Sequence, residues 1–435
     1  MDIKVKDIIK ICDAQLVYGN EEEICQNFSK DTREIKKDDV YIGIKGENFD
    51  GNALYEKALE NGAKVCILEN IEIPEHIIER YEDRTIIKVK NTIKAIQEIA
   101  TYKREMYNIP VIAETQGNLN NHIGLPLTIL KLKDHTAMVV EMGMNSLGEI
   151  SVLSNIAKPT ISVITNVGTA HIGILGSREN ILKAKLEILD GMSKDGTLVI
   201  NNDNDMLNNW NKNNNTYNVA TFGINNDSDV MAKDIKFEEY STEFLAITKN
   251  EELNVKVPVG GEHFVYNALC SIVVGKLLNI DNKEILKGIE EFELTKNRME
   301  IKKNKNNVTI INDCYNANYD SMKASLEYLS KSKLKRKIAV LGDMLELGEY
   351  SKQLHEKVGV EVAKNKIDIL ITVGKEAKNI LNKAISMGIE KENAYNFETN
   401  EQAIELLNKI LKPEDIVLVK ASNGMHFNKI IEKII

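Results

Sequence analysis

The chain has 435 residues, of which 43% are hydrophobic and 28% charged, so it is long enough for two or three globular domains. Its net charge of −9 argues against a nucleic-acid-binding surface. No apolar run is long enough for a membrane span, and the opening residues MDIKVKDIIK do not resemble a signal peptide. Five cysteines without a CxxC pair indicate reduced thiols, and we expect a cytoplasmic protein.

The first region, residues 1–90, alternates short β-rich runs with helical ones. The strand-like runs are VYIGIKG, KVCILE and RTIIKVK, and the helical run NALYEKALENGA ends at Gly62, a typical helix C-cap residue. The pattern predicts a small α/β domain. The run NTIKAIQEIATYKREMY that follows has helical periodicity and predicts a connecting helix.

The second region, residues 91–300, contains the strand-like runs PVIA, TAMVVEMG, ISVITNVG and TLVINND, with helices between them. Alternation of strands and helices predicts a parallel sheet, in which ligands bind at the carboxyl ends of the strands. The third region, residues 301–435, repeats this pattern in VTIINDCYNA, RKIAVLGDM, IDILITVG and DIVLVKAS and predicts a doubly wound α/β domain. We therefore predict three α/β domains.

Three polar residues follow or flank the predicted strands of the second region: Glu141, His171 and Lys185. Taken singly, each fits an ordinary structural role, as a helix N-terminal acid, a loop histidine and a solvated helix lysine. Taken together they lie on consecutive βα elements and could meet at one divalent cation. An acid, a histidine and a further oxygen ligand suit Mg²⁺ or Mn²⁺ better than zinc.

Several blocks occur in an order that resembles the Mur ligase family. They are SKDTREIKKDDVYIGIKGENFDG, QGNLNNHIGLPLTIL, VVEMGMN, ITNVGTAHIG, AKLEI, NRMEI, INDCYNANYDSMKASL, VLGDMLELG and DIVLVKAS. The resemblance covers nearly the whole chain. It implies a UDP-sugar-binding domain over residues 1–90, an ATP-binding domain over 91–300 and a C-terminal ligase domain over 301–435.

The resemblance also implies a reaction, ATP-dependent amide formation in peptidoglycan precursor synthesis. The substrates would be UDP-N-acetylmuramoyl-tripeptide and D-alanyl-D-alanine, with ATP and Mg²⁺ as cofactors. The tripeptide carboxylate would attack the γ-phosphate to give an acyl phosphate, and the dipeptide amine would then displace phosphate. Such transfers depend on positioning and on neutralising oxygen charge.

The resemblance assigns roles to named residues. Glu141 and His171 correspond to metal ligands, and Lys185 to a lysine that is carbamylated to bridge metal ions; His171, Lys185 and Arg298 would be catalytic. Nucleotide contacts correspond to Asn267, Arg298 and Asp313, although Phe264 stands where the family usually has an asparagine. The substrate-binding positions are Asp31, Thr32, Arg33, Asn48, Asn118, Asn120, Asn121, Asn316, Asn318, Asp343 and Lys420. The stretch Asp31 to Arg33, alone, would also fit a capped turn.

The sequence departs from the family at one place. The family follows the strand PVIA with a T-G-x-x-G-K-T-T/S loop, a helix and a strand, whereas here Ala113 runs directly into Glu114. The pairs Gly275-Lys276 and Gly374-Lys375 lack the spacing of a phosphate-binding loop. Roughly 25–30 residues, a loop, a helix and a strand, are missing. Because parallel strands need a crossover, we expect the central sheet to lose or merge a strand and to expose apolar surface.

Three interpretations remain open at this point. The chain could derive from an ordinary ligase through a deletion or a sequence error. It could be a catalytically inactive relative that binds UDP-muramoyl peptides or a partner of the same pathway. It could also have an unrelated activity on a similar scaffold, although the many retained blocks argue against this interpretation.

Overall fold

A computed structural model describes residues 2–46, 49–69, 71–111, 119–238, 241–334 and 336–435. The chain forms two compact units, Met1–Ser162 with Lys183–Leu198, and Val163–Leu182 with Val199–Ile435. In the part of the chain that is described, no helix is both long and apolar enough to cross a membrane.

The N-terminal region is a small α/β domain, as predicted. Its strands are β1 (Ile3–Lys4), β2 (Gln15–Tyr18), β3 (Ile24–Cys25), β4 (Phe28–Ser29), β5 (Val40–Ile42), β6 (Val65–Glu69) and β7 (Thr85–Val89), and its helices are α1 (Val5–Cys12), α2 (Tyr55–Glu60), α3 (Glu75–Arg80) and α4 (Thr92–Met106). The main sheet has the order β2-β7-β6-β5-β4 and is parallel except for β2. The predicted C-cap glycine, Gly62, has a φ of +108°, a conformation that glycine adopts without strain.

Two buried basic side chains of helix α4 bind the chain segment that follows it. Two short helices, α5 (Gly124–Ile129) and α6 (Glu149–Ala157), pack against it in the same hydrophobic core. Lys103 Nζ donates to the carbonyl of Leu130 at 2.8 Å, and Arg104 Nε donates to that of Ala157 at 2.8 Å. Both carbonyls lie at helix C-termini, where a cation is favoured by the helix dipole. These bonds compensate for the burial that lowers the pKa values of both side chains.

The predicted strand TAMVVEMG is wrong. Residues 136–143 are all described and contain no strand. Their backbone makes isolated hydrogen bonds, such as that from the Met138 N–H to the Pro110 carbonyl at 2.9 Å. A β-rich run becomes a strand only beside a partner, and the preceding run PVIA lies partly outside the described residues. The absence of this strand agrees with the expectation that the central sheet loses or merges a strand. Apolar side chains are also exposed nearby, by 47% for Val139 and 44% for Val152.

The central sheet has six strands in the order β13-β12-β11-β10-β9-β8. They are β8 (Ile161–Ile164), β9 (Thr197–Asn201), β10 (Asn218–Gly223), β11 (Val230–Phe237), β12 (Thr242–Thr248) and β13 (Glu252–Val257), with helices α7 (Ile172–Leu175), α8 (Arg178–Leu186), α9 (Asp205–Lys212), α10 (Glu262–Leu277) and α11 (Asn282–Glu290). The runs ISVITNVG and TLVINND are confirmed as strands. The last three strands pair antiparallel and extend the predicted parallel sheet.

The C-terminal region is a doubly wound domain, as predicted. Its strands are β14 (Glu300–Lys303), β15 (Thr309–Asn312), β16 (Arg336–Gly342), β17 (Ile369–Val373), β18 (Ala394–Phe397) and β19 (Asp415–Lys420), and its helices are α12 (Tyr319–Ser330), α13 (Ser351–Lys364), α14 (Lys378–Ser386), α15 (Asn400–Ile410) and α16 (Asn428–Ile434). The order is β14-β15-β19-β16-β17-β18, with only β14 antiparallel to its neighbour. The carboxyl ends of the other strands therefore share one edge.

Candidate nucleotide and metal site

The second unit contains a cavity of about 610 Å³ beside the carboxyl ends of β15 and β19. It brings together six residues that the sequence analysis singled out, one from α10, one from the segment before β14, and four from the two strand ends. These residues are Asn267, Arg298, Asp313, Asn316, Asn318 and Lys420. The volume is within the range of small-molecule binding sites.

The base of this cavity is a buried ion pair. Lys420 Nζ lies 2.5 Å from Asp313 Oδ2, and the two side chains are 3% and 10% exposed. The Asp313 carboxylate also accepts bonds from Ser325 Oγ at 2.6 Å and from the Met299 backbone N–H at 3.1 Å. Lys420 in turn donates to the carbonyl of Asn316 at 3.1 Å. Because every charge has several partners, the pair is held in one geometry.

One wall of the cavity is aromatic. His263 and Phe264 lie in the first turn of α10, and their ring centroids lie 4.1 Å apart. Phe264 also approaches Phe292, at 6.2 Å between centroids. Burial lowers the pKa of His263 to about 4, against a smaller opposing effect of Asp313, so its imidazole is neutral at pH 7. A neutral, aromatic wall is suited to stacking against a planar ring.

Arg298 provides a cation at the mouth of the cavity. Its guanidinium carbon lies 3.9 Å from the ring centroid of Tyr315. This stacking fixes the side chain without neutralising its charge. The arrangement leaves a cation next to the nucleotide-sized space that contains Asn267.

Two predicted substrate contacts have structural roles in this structure. Asn318 caps α12, where its side-chain oxygen accepts the backbone N–H of Ser321 at 2.9 Å. Asp343 does not line the cavity; its carboxylate accepts the backbone N–H of Ala377 at 2.6 Å, and burial raises its pKa. The predicted binding roles of Asn318 and Asp343 remain predictions.

In the first unit, Glu141 and Lys185 form an electrostatic pair. Burial lowers the pKa of Lys185, while the negative charge of Glu141 opposes that shift. Glu141 also accepts a bond from Asn120 Nδ2 at 3.0 Å. The structure thus brings together three residues that were predicted separately. A lysine with a lowered pKa has more of the neutral amine that reacts with carbon dioxide.

His171 belongs to the second unit and precedes α7. Its Nδ1 atom lies 3.1 Å from Glu346 Oε2. Within the described residues, no three side chains of His, Cys, Asp or Glu are grouped in a metal-binding arrangement. The three predicted metal ligands therefore belong to different units, with Glu141 and Lys185 in one and His171 in the other.

The predicted UDP-binding stretch forms a turn. The Asp31 carboxylate accepts the Arg33 backbone N–H at 2.9 Å and pairs with its guanidinium, which lowers the pKa of Asp31 to about 2. The Thr32 carbonyl accepts a bond from Asn61 at 2.8 Å. The capped-turn interpretation is therefore correct as a description of the local structure, and it leaves the Arg33 side chain 82% exposed.

One of the three remaining predicted residues, Asn121, lies in a described loop of the first unit. Asn121 caps the start of α5, with its side-chain oxygen accepting the Gly124 N–H at 2.8 Å. Asn48 and Asn118 lie outside the described residues. The predictions for these two residues are not tested.

Sequence reasoning missed His263, Phe292 and Tyr315 as cavity residues. In the sequence each looks like a core or helix residue, because an aromatic side chain fits both settings. The block HFVYNAL contained the only local signal, since it places His263 four residues before Asn267, on the same helical face. Glu346, in the block VLGDMLELG, was also missed.

Three models of known protein families match successive parts of the chain. Residues 26–104 match the catalytic domain model of the Mur ligase family, 87–275 the Mur ligase middle domain, and 297–423 the Mur ligase glutamate ligase domain. The chain therefore belongs to the Mur ligase family, whose members are ATP-dependent amide ligases.

Individual relatives narrow the comparison to one branch of that family. The chain is 32% identical to UDP-N-acetylmuramoyl-tripeptide–D-alanyl-D-alanine ligase of Bacillus subtilis, over 99% of this chain and 98% of the relative. It superimposes on a crystal structure of MurF from Acinetobacter baumannii with a TM-score of 0.88 at 26% identity, over 100% and 99% of the two chains. A Thermotoga maritima MurF ligase in complex with ADP gives a TM-score of 0.80 at 26% identity, over 94% and 97%.

Proposed function

We propose that this chain is a ligase of the MurF type whose nucleotide site is incomplete. Its substrates would be those named for its relatives, UDP-N-acetylmuramoyl-tripeptide and D-alanyl-D-alanine, and its cofactor ATP. The observation that carries the proposal is the cavity that combines Asn267, Arg298 and the Asp313–Lys420 pair. We assign the domains as residues 1–90, 91–300 and 301–435, with the protein in the cytoplasm.

The side chains that line the cavity are chemically suited to bind a nucleotide. The rings of Phe264 and Phe292 offer a stacking surface for a purine, and Asn267 offers an amide that can bond to its edge. Arg298 supplies positive charge for phosphate oxygens, and Asp313 supplies an acceptor for hydroxyl groups. Lys420 donates to the Asp313 carboxylate and keeps it oriented.

Glu141 and Lys185 fit the proposed magnesium site. Carbamylation of the Lys185 amine would replace a cation with an anion that has two oxygen donors, and the charge of Glu141 already acts on this amine. The carbamate and the Glu141 carboxylate would be oxygen donors of the kind that Mg²⁺ prefers, and we propose His171 as a further metal ligand. Bound Mg²⁺ would supply charge neutralisation for the phosphate oxygens. We propose Asn120 as a residue that orients Glu141, in addition to its predicted contact with the muramoyl group.

We infer that the chain lacks the phosphate-binding loop, because Glu114 follows Ala113 directly where the family has that loop. The alignment with the Bacillus subtilis ligase spans 459 positions, whereas this chain has 435 residues, so at least 24 positions hold no residue of this chain. Without the loop lysine and amides, phosphate binding would depend on Arg298 and the metal. The loss of one such donor costs about 10²–10³ in rate. We therefore expect ligation that is slower than that of a complete ligase by at least this factor.

A coupled assay tests the proposal. We expect ADP release that requires both the UDP-linked tripeptide and D-alanyl-D-alanine, at the reduced rate, and a further loss in Arg298→Ala. Arg80→Ala is the control, because Arg80 lies in the N-terminal region, exposed, and pairs with Glu56 on the surface. Turnover at the rate of a complete ligase would refute the incomplete-site part of the proposal. No turnover, together with no ATP binding, would refute the ligase activity itself.

A second candidate function is binding of the UDP-linked peptide without catalysis. The exposed Arg33 at the tip of a rigid Asp31 turn favours it, since the guanidinium is free to exchange its carboxylate partner for a diphosphate. Calorimetric titration with UDP-N-acetylmuramoyl-tripeptide in the absence of ATP tests it. We expect binding that Arg33→Ala weakens by about tenfold and that Arg80→Ala leaves unchanged.

A further inference from the structure

Two loops of the second unit meet in unusually close backbone contact. One is residues 171–176 at α7, and the other is residues 346–350, which include the 3-10 helix Gly348–Tyr350. A Cβ atom on Gly173 would lie 2.3 Å from the carbonyl carbon of Leu347, so only glycine fits there. Tyr350 Oη donates to the carbonyl of Gly176 at 2.5 Å. The contact is therefore specific and closely packed.

Both loops carry strained residues at this contact. His171 has a φ of +62° and Glu346 a φ of +64°, the left-handed region that non-glycine residues seldom adopt. Each costs about 1–2 kcal/mol. Strained residues of this kind persist where the surrounding structure holds them, and they concentrate at functional sites. Here they face each other across one contact.

The two strained residues place an imidazole beside a carboxylate. His171 Nδ1 lies 3.1 Å from Glu346 Oε2, and the atom is shielded from solvent. Among the described residues no group forms a well-angled hydrogen bond with Nδ1. The nearest acceptor is thus the carboxylate, and a small rotation of either side chain completes the bond. A buried ring nitrogen without a partner is unfavourable, so this rotation is favoured.

We propose that Glu346 is a positioning residue for His171. Its carboxylate accepts the proton on Nδ1 and so fixes the tautomer in which Nε2 is unprotonated and able to bind a divalent cation. Histidines that bind metals usually donate their other ring N–H to a carboxylate or carbonyl, and this bond sets the tautomer and ring orientation. The inference rests on the proposed function in one respect, that His171 is a metal ligand.

Nitrogen NMR of the full chain labelled with ¹⁵N-histidine tests the tautomer directly. The spectra are recorded at about pH 8.5, above the ordinary histidine pKa of about 6.5. The His171 signal is identified by its loss in His171→Gln. We expect a protonated Nδ1 and an unprotonated Nε2 in the parent chain. In Glu346→Gln the carboxylate is lost and we expect a mixture of both tautomers.

Two further variants make the experiment decisive. Glu346→Gly removes the carboxylate but tolerates the positive φ, so it folds even if Glu346→Gln does not. Glu349→Gln is the matched control, an exposed acid three residues away in the same loop. We expect the mixture in Glu346→Gly and the parent tautomer in Glu349→Gln. An unprotonated Nδ1 in the parent chain, or an unchanged tautomer in Glu346→Gly, would overturn the proposal.

Titration with Mn²⁺, followed by electron paramagnetic resonance, separates this inference from the proposed function. We expect Glu346→Gly to weaken Mn²⁺ binding by about 10–100-fold and Glu349→Gln to leave it unchanged. Unaltered Mn²⁺ affinity in Glu346→Gly would overturn the positioning role. If the parent chain binds no Mn²⁺ at all, the metal part of the proposed function fails, whereas the tautomer measurement still decides whether Glu346 fixes the His171 ring. Ligase activity is not needed for either measurement.

Discussion

Replacement of Lys420 by methionine is expected to destabilise the second unit strongly. Methionine keeps most of the side-chain volume but removes the charge that pairs with Asp313. The carboxylate is 10% exposed, so water cannot replace the ammonium. Removing one partner of such a pair costs about 3–5 kcal/mol. Because Ser325 and the Met299 N–H still bond to Asp313, we expect a value near the lower limit, about 3 kcal/mol.

Urea unfolding followed by the fluorescence of the single tryptophan, Trp210 in α9 of the second unit, measures this change. With a denaturant slope of about 2 kcal/mol per M, a loss of about 3 kcal/mol lowers the midpoint by about 1.5 M. Far-ultraviolet circular dichroism of the same samples shows whether the C-terminal domain unfolds in the same transition.

Two variants provide the controls for this measurement. Lys409→Met removes one partner of the pair Lys409–Glu405, which has the same separation of 2.5 Å but exposures of 67% and 70%. We expect no change in its midpoint, because exposed pairs contribute little. The double variant Asp313→Asn with Lys420→Met has no buried charge at this position, and we expect it to regain most of the lost stability. Equal midpoints for Lys420→Met and Lys409→Met would show that the buried pair is not held as described.

Three further predictions follow from other residues. The pKa of His263 is about 4 in the folded state and about 6.5 in the unfolded chain, so on acidification the unfolded chain binds the proton first. We therefore expect the free energy of unfolding to fall by up to about 1.4 kcal/mol per pH unit as the pH is lowered from about 6.5 to about 4. In His263→Gln we expect this contribution to be absent. Gly173→Ala should lower the thermal midpoint, because its Cβ would meet Leu347, whereas Gly288→Ala has open space and should not. Burial raises the pKa of the Cys66 thiol, so this thiol should react with a disulfide reagent only after unfolding.

The fold was largely predictable because its strands are long apolar runs with clear boundaries. In the C-terminal domain β15, β16, β17 and β19 are buried on both faces, and each was recognised from composition alone. The segment 136–143 was not predictable in this way. Its residues favour a strand, but pairing depends on a neighbour that is distant in sequence, and local propensity does not report whether that neighbour exists.

The cavity residues were predictable only through the resemblance to the Mur ligases. That resemblance named Asn267, Arg298, Asp313 and Lys420, which line one cavity. The amides were harder to assign, because a short polar side chain can contact a ligand or cap a helix, as Asn121 does here. Glu346 could not be found, since its contact with His171 joins loops that are far apart in sequence.

The first unit is built from two separate segments of the chain, and this affects how it folds during synthesis. Residues 183–198 complete that unit, where Glu187 accepts the Gly148 N–H at 2.7 Å and the Ile188 carbonyl accepts the Ser154 hydroxyl at 2.5 Å. During synthesis the ribosome must first add residues 163–182, which belong to the other unit. At about 5–20 residues per second this delay is about one to four seconds. Over that interval α6 lacks its final partners and is open to chaperones and proteases, and a gene fragment that stops at residue 162 would encode a protein fixed in that incomplete state.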